Sequence, residues 1–387
     1  MGRVVEDSSG NFFGTTFQAG TNFSGTVYEL IAIGDGKYKF KVIHEFCEKA
    51  NCPDGASPLT SLIMDADGDL YGTTEAGGVS NSGTVFELIP NADHSKFKLV
   101  TLYNFCPQQP CIDGTSPRAG LTYAGAQNGA LYDGTSPLFG AARGGANNSG
   151  VGGVVYALKS VPGKTKRKEK VLYNFCAQTN CSDGALPSDL VIDDQGNLYG
   201  TTLQGGTNNQ GTAFELSPSG HTFTETVLYR FCSLANCADG QSSAAPLARD
   251  KDGNLIGTTE FGGAFNQGTV FKIVPNGGSS SESVLYSFCA QSNCTDGSEP
   301  ADGVNIDSGG NIIGTTPAGG AFDVNGGTIF KISGGTHTVL FSFCEVAGCP
   351  GGKQPVAGLT ADGSGNLFGV TSFGGEFGFG SVFRFTP

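Results

Sequence analysis

Residues 65–90 read DADGDLYGTTEAGGVSNSGTVFELIP. The Asp-x-x-Gly opening is a tight turn, with Gly68 free to take the positive φ that a hairpin bulge needs. Leu70–Thr74 and Thr84–Pro90 follow as two short runs of alternating apolar and polar residues, the pattern of half-buried strands. A Gly-Gly-x-x-Asn loop joins them. The stretch returns along the chain, starting at Asp7, Asp193, Asp250, Asp307 and Gly363, with a divergent copy from Gly134. The central glycines of the seven copies are Gly14, Gly72, Gly140, Gly200, Gly257, Gly314 and Gly369, at spacings of 58, 68, 60, 57, 57 and 55 residues. Self-similarity at a fixed period is the mark of a repeat architecture.

Each unit reads as four strands. An apolar run precedes the aspartate, two strands flank the glycine loop, and a fourth run such as FKLVTLYNF (97–105) closes the unit. Helical periodicity is missing throughout. The sequence therefore predicts an all-β fold, a seven-bladed β-propeller of four-stranded blades. The expected blades are roughly 1–57, 58–117, 118–187, 188–243, 244–300, 301–355 and 356–387, one propeller domain over residues 1–387. The fourth strand occurs only six times, so the last blade is expected to lack its outer strand. That leaves Ser381, Val382, Phe383, Arg384 and Phe385 as an open edge. A strand upstream of Met1 would complete it in a longer chain; alternatively, a partner strand or another copy pairs with it, and head-to-tail donation would build a filament.

The phrase DGNLYGTT-x-GG-x-N-x-GTVFEL, followed by LY-x-F and DG-x-x-P, resembles the GloVer-type (Gloeo/Verruco) tandem repeat of secreted bacterial proteins. The resemblance covers about residues 4–387. It implies an exported propeller, in proteins often retained outside the cell by varied C-terminal anchors. It implies no reaction and no catalytic residues.

All twelve cysteines fall into six Cys-x4-Cys pairs: Cys47/Cys52, Cys106/Cys111, Cys176/Cys181, Cys232/Cys237, Cys289/Cys294 and Cys344/Cys349. Each pair follows a fourth strand, in the loop that crosses to the next blade. Even pairing points to an oxidising compartment and local disulfides, hence a secreted or cell-surface protein. MGRVVEDSSG carries no signal peptide, so an export signal is expected to lie upstream of this chain. A disulfide closing about six residues removes roughly 2 kcal/mol of unfolded-state freedom. Zinc would need four ligands, and each pair offers two; no metal is expected. The four histidines, His44, His94, His221 and His337, are expected to stand away from the cysteines.

With 22 Lys and Arg against 35 Asp and Glu, the net charge is −13, which disfavours nucleic acid and anionic membranes. No 18-residue apolar run predicts a membrane span. The Asp-x-Asp-Gly-Asp turn at Asp65 hints at weak calcium binding, but the loop lacks the later ligands of a calcium-binding helix–loop–helix and reads as a hairpin turn. No cofactor is expected. Glycan, an extracellular protein or other copies of the chain are the expected partners. The candidate binding face consists of the glycine-loop residues Asn22, Phe23, Asn81, Asn148, Asn209, Phe265, Asn266, Asn325 and Phe377, amides and aromatics suited to sugars or proteins.

The recurring Asp54, Asp113, Asp183, Asp239 and Asp296, one after each second cysteine, form either a turn or a carboxylate ring near one face; Gly351 takes the sixth place. A ring would suit a polysaccharide hydrolase or lyase, the alternative to a non-catalytic binding or assembly protein. No nucleophile elbow, phosphate loop or metalloprotease helix occurs. The basic insert KSVPGKTKRKEK (159–170) reads as a solvated loop or a dock for an acidic partner.

Overall fold

The computed structural model describes residues 2–145, 152–243, 245–276 and 280–387. It is an all-β propeller of seven antiparallel sheets. Blade one is Val5–Glu6, Phe12–Thr16, Thr26–Ala32 and Tyr38–Glu45; blade two is Ile63–Met64, Leu70–Thr74, Thr84–Pro90 and Phe97–Asn104. Blade three has three strands, Leu138–Ala142, Val154–Lys159 and Lys168–Asn174. Blade four is Ala185–Ile192, Leu198–Gln204, Thr212–Ser219 and Thr222–Arg230. Blade five is Ala248–Arg249, Leu255–Thr259, Thr269–Val274 and Ser281–Ser287, and blade six is Asn305–Ile306, Ile312–Thr316, Thr328–Ser333 and Thr336–Ser342. Blade seven holds Lys353–Pro355, Thr360–Ala361, Leu367–Phe373 and Ser381–Phe385. The chain divides into two compact units, the first holding blades one to three and the second blades five to seven, with the division running through blade four.

The repeated glycine of the second strand has a steric cause. Gly72 lies directly across the ladder from Phe86, and a Cβ on it would come within 2.7 Å of the Phe86 ring. Gly257 stands likewise under Phe271, Gly314 under Phe330 and Gly369 under Phe383. The aromatic ring covers the glycine and fills the core, so neither residue can change alone.

The two threonines after that glycine have separate tasks. The second bonds within its blade: Thr74 Oγ1 lies 2.8 Å from Thr84 Oγ1, and Thr259 Oγ1 lies 2.9 Å from Thr269 Oγ1. The first reaches forward to the next blade, Thr15 to the Thr60 carbonyl (3.2 Å), Thr73 to Ala119 (3.3 Å) and Thr258 to Asp302 (2.9 Å). Those accepting carbonyls precede the first strand of the next blade. This helps explain why most first strands pair over only two residues, shorter than the sequence suggested.

Blade three departs further. The segment that should form its first strand makes only a bridge, Thr122 to Phe139, and Tyr132 instead pairs in parallel with Asp65 of blade two. The ring of Tyr132 is fully buried, 5.1 Å edge-on from Tyr71. Arg167, from the basic insert, is buried over both rings at 5.7 and 5.5 Å and donates to Tyr132 Oη (2.6 Å) and the Gly134 carbonyl (2.8 Å). The insert is therefore not wholly solvated: its arginine anchors the irregular segment to blade two.

Candidate functional site

The cysteine pairs close as disulfides. Cys47–Cys52, Cys106–Cys111, Cys232–Cys237, Cys289–Cys294 and Cys344–Cys349 are bonded, Cys176 and Cys181 are disulfide-bonded as well, and no described cysteine is free. Eleven of the twelve sit at φ between 46° and 69°. That left-handed conformation costs a non-glycine residue roughly 1 kcal/mol, so the clip holds a backbone shape that the chain would otherwise avoid.

That shape exposes the cysteine carbonyls to the glycine loops. The Cys52 carbonyl accepts from Gly78 N (2.8 Å), Cys237 from Gly263 N (2.9 Å) and Cys294 from Gly320 N (3.0 Å), in each case a glycine loop of the following blade. The carbonyl of a first cysteine faces its own blade: Asn22 Nδ2 donates to Cys47 O (2.7 Å) and Asn208 Nδ2 to Cys232 O (2.5 Å). A clip is thus a bracket between successive glycine loops, more than the local stiffener its spacing suggested.

The amides of the candidate face are partly committed to this scaffold. Asn81, Asn209 and Asn266 turn their side-chain oxygens back on Gly77, Gly205 and Gly262 of their own loops, at 2.9, 2.9 and 3.2 Å. Asn325 N donates to Asp323 Oδ1 (3.0 Å), and Asn148 lies outside the described residues. Asn208, which the sequence reading passed over in favour of its neighbour, is the one that holds the clip. The aromatics behave otherwise. In the first unit Phe23 and Val79 stand exposed on loop tips. In the second, Phe265, Phe322 and Phe377 do the same, and Phe379 is 92% exposed.

A cavity of about 710 Å³ opens beside the last of these loops, lined by Phe322, Asp323, Glu345, Lys353 and Phe373 with the Cys344–Cys349 clip at its side. Asp323 and Lys353 pair at 3.5 Å. Asp323 and the two sulfurs lie close enough to suggest a metal cluster, but disulfide sulfurs offer no thiolate and the carboxylate is already paired.

The recurring aspartates act as loop anchors. Asp239 is fully buried; its carboxylate accepts from Tyr229 Oη (2.8 Å), Ser233 N (2.7 Å) and Leu234 N (3.2 Å). Asp296 takes Tyr286 Oη (2.6 Å) and Ala290 N (2.9 Å), and Asp113 takes Tyr103 Oη (2.6 Å) and Cys106 N (2.9 Å). Asp54 receives Cys47 N (3.2 Å) and faces His44 Nε2 at 3.1 Å, so that histidine stands against the clip rather than away from it. Asp183 is likewise fully buried. Four of the five carboxylates are buried and Asp54 is half-buried against His44, the opposite of a solvent-facing ring.

Over three of the aspartates stands a residue of the next blade's outer strand that sequence reading missed. Glu169 faces Asp113, Glu282 faces Asp239, and His337 faces Asp296 while stacking on Tyr286 at 4.0 Å. Burial and then the neighbouring aspartate push Glu169 and Glu282 up to about 7. Burial holds His337 down to about 4. The signal was in the sequence, since all three lie six residues before the phenylalanine that follows their strands.

The suspected calcium turn is filled from within. Asp65 Oδ1 accepts from Asp67 N and Asp69 N, and Oδ2 from Tyr71 Oη. Burial and the carboxylates of Asp65, Glu87 and Asp67 push Asp69 up to about 6.

The edge residues Ser381–Phe385 pair, among the described residues, only with Leu367–Phe373. No described helix is long and apolar enough to cross a membrane.

The repeat is the feature that identifies the chain. The family model of the Gloeobacter/Verrucomicrobia repeat matches residues 1–151 and again 133–295. The chain belongs to this family. No curated protein matches the sequence. Among solved structures, the extracellular domain of a hybrid two component system from B. thetaiotaomicron is similar, with a TM-score of 0.56 and 13% identity over 99% of this chain and 38% of that one. This Gloeobacter/Verrucomicrobia repeat protein therefore spans well under half of that structure's length, and the likeness shows the fold alone. A puromycin-hydrolyzing peptidase from Mycobacterium tuberculosis follows at TM-score 0.49 and 12% identity, covering 95% of this chain and 51% of that one. A gluconolactonase from Xanthomonas campestris stands at TM-score 0.38 and 12% identity, covering 65% and 67%.

Proposed function

We propose that this repeat protein is a secreted, non-catalytic binding protein that takes a glycan or an extracellular protein on the tips of its clipped loops. One contrast supports the reading: the repeated aspartates are enclosed by backbone donors, whereas Phe322 and Phe377 stand open beside a cavity with a charged pair in it. Aromatic faces with a few fixed polar groups suit sugars and peptide side chains alike. The hydrolase or lyase alternative would need carboxylates free to meet substrate, and none of the recurring five lines the cavity.

The test is a panel of glycans and extracellular proteins presented to the oxidised protein. Binding that falls at least about tenfold in Phe322→Ala/Phe377→Ala supports the loop tips. New reducing ends released from the same glycans would instead revive the catalytic alternative.

A structural role is the second reading, favoured by the single pairing of Ser381–Phe385. Copies joined through that edge would appear as filaments in negative-stain electron microscopy at micromolar concentration; dispersed particles would count against it.

A further inference from the structure

Charge is unevenly divided between the blades. Residues 32–45, 90–104 and 159–174 each run from the end of a third strand through the fourth, in blades one to three. They hold eleven of the 22 Lys and Arg against four Asp and Glu, a net +7. The matching stretches of blades four to six, 219–230, 274–287 and 333–342, hold Arg230 against Glu225 and Glu282, a net −1. With −13 on the whole chain, the residues outside the first three stretches carry −20. The repeat folds in blades five and six without a lysine here, so the cations are an addition that three consecutive blades share.

Contacts join these stretches into one band of the first unit. Lys41 Nζ donates to the carbonyls of His94 (3.4 Å) and Ser95 (3.1 Å), so blade one's outer strand meets the turn that holds Lys96. Arg167 N donates to the Leu102 carbonyl (3.0 Å), which lays the basic insert along blade two's outer strand. Three of the eleven cations are committed. Lys41 also pairs with Glu29 at 3.5 Å, Lys170 donates to the His221 carbonyl, and Arg167 is buried over its two rings. The other eight are all lysines and all exposed, Lys98 and Lys166 among them. Among the described residues none of their ammonium groups has an ion pair or a hydrogen bond. Most of the nearby acids are engaged elsewhere. Glu45 accepts from Thr21 N and Oγ1 (both 2.7 Å), Asp93 from Ser95 N (3.1 Å) and Oγ (2.6 Å), and Glu169 faces Asp113.

Like charges held side by side repel one another and gather counterions, and a linear polyanion that releases those ions is the ligand such an array favours. The residue types narrow the choice. Nucleic-acid recognition relies on arginine forks and stacked rings. The one arginine of the band is buried, and Phe40 is its one exposed phenyl ring. Protein interfaces are depleted in lysine. Separate ammonium point charges suit carboxylates or sulfates strung along a sugar chain. We propose that this lysine band binds an acidic polysaccharide, one bearing carboxylate or sulfate groups, along the outer strands of blades one to three. The turns of the band leave each third strand at the end opposite its glycine loop, as Asn91 and Gly83 flank Thr84–Pro90. The site is therefore separate from the clipped loop tips and does not depend on them. The −20 carried by the rest of the chain confines the polymer to the band.

The probes are fluorescently labelled polygalacturonate and dextran sulfate, with neutral dextran as the blank, titrated into the full oxidised chain. Saturable binding of at least one acidic polymer and none of dextran is expected, weakening at least about tenfold between about 50 and 200 mM salt. The two acidic polymers show whether carboxylate or sulfate is preferred. Lys96→Glu/Lys98→Glu and Lys164→Glu/Lys166→Glu/Lys168→Glu should each weaken binding at least about tenfold and flatten its salt dependence. Lys251→Glu/Lys331→Glu makes the same charge change as the first of these on blades five and six, and should alter binding less than about twofold. Phe322→Ala/Phe377→Ala should leave it as it is, so failure of the loop-tip reading and failure of this one are told apart. Melting temperatures check that the lysine variants fold. No binding of either acidic polymer, an equal loss in Lys251→Glu/Lys331→Glu, or tighter binding of duplex or single-stranded DNA overturns the proposal. So does sedimentation showing that the band takes a second copy of this chain, in an association that the polymer fails to displace and the band variants abolish.

Discussion

The junction between blades five and six and the junction between blades six and seven carry the same backbone and different chemistry. At the first, Asp296 is fully buried, holds Tyr286 Oη and two backbone amides, and is overlaid by His337. At the second, Phe341 replaces the tyrosine, Gly351 replaces the aspartate, and the edge beyond is uncovered. A carboxylate accepting charge-assisted bonds is stabilising when enclosed with its donors and expensive when it loses them. The comparison teaches that the aspartate comes with a ring partner, a phenol at Tyr103, Tyr229 and Tyr286 and an imidazole at His44, and that the junction with Phe341 and Gly351 has neither.

The comparison breaks most visibly if the enclosed carboxylate is removed. Asp239→Ala leaves the Ser233 and Leu234 amides without their acceptor, while Tyr229 Oη keeps Ser233 Oγ at 2.8 Å, and should cost about 3 kcal/mol, given that each buried donor left unpaired costs about 1–3. Denaturant melts of the oxidised protein measure it. Gly351→Asp, the reverse change at the open junction, should alter stability by less than about 0.5 kcal/mol, as exposed substitutions generally do. Equal losses at both sites would mean the aspartate is a turn residue only.

The clips should show a smaller effect with the same polarity. Cys289→Ala/Cys294→Ala removes a loop constraint of about 2 kcal/mol and frees a backbone held in the left-handed region. The Cys294 carbonyl then loses its hold on Gly320. Cys344→Ala/Cys349→Ala should cost less, because its loop leads to the blade with the open edge. The difference between the two melting temperatures is the quantity to compare.

Much of this was legible beforehand. The glycine spacing gave seven units, and the twelve paired cysteines gave the clips, because period and pairing are one-dimensional properties. What lay hidden depends on contacts between units. Glu282 belongs to Asp239 only because a fourth strand packs over the preceding blade's crossing loop, 43 residues earlier in sequence. Arg167 reads as one charge in a basic run, and only the detour of Tyr132 toward blade two gives it rings to lie on. The loop asparagines looked like ligand contacts because an exposed amide and an amide turned back on its own loop are spelled identically.

The effect of the buried acids and imidazole, about 1 kcal/mol for each acid, is the most diagnostic because it depends on pH. Glu169 and Glu282 have folded values raised to about 7, above those of an unfolded chain, so each is bound as the neutral acid in acidic solution and must ionise beside Asp113 or Asp239 as pH rises. They therefore withdraw stability between roughly pH 4.5 and 8, by about 1 kcal/mol each once water that still reaches them is allowed for. His337 works oppositely. Its folded value is held down to about 4 by burial; the unfolded chain takes up the proton first, and stability drains away as pH falls from about 6.5 to 4. The two windows overlap from about pH 4.5 to 6.5, where the acids and the imidazole oppose one another, and the open junction carries neither group. Glu282→Gln should match the wild type at pH 5 and exceed it by about 1 kcal/mol at pH 8, while His337→Leu should flatten the acid flank alone. A Glu282→Gln melt that tracks the wild type at every pH would show that the carboxyl is solvated and that the outer strand covers Asp239 by packing, without charge.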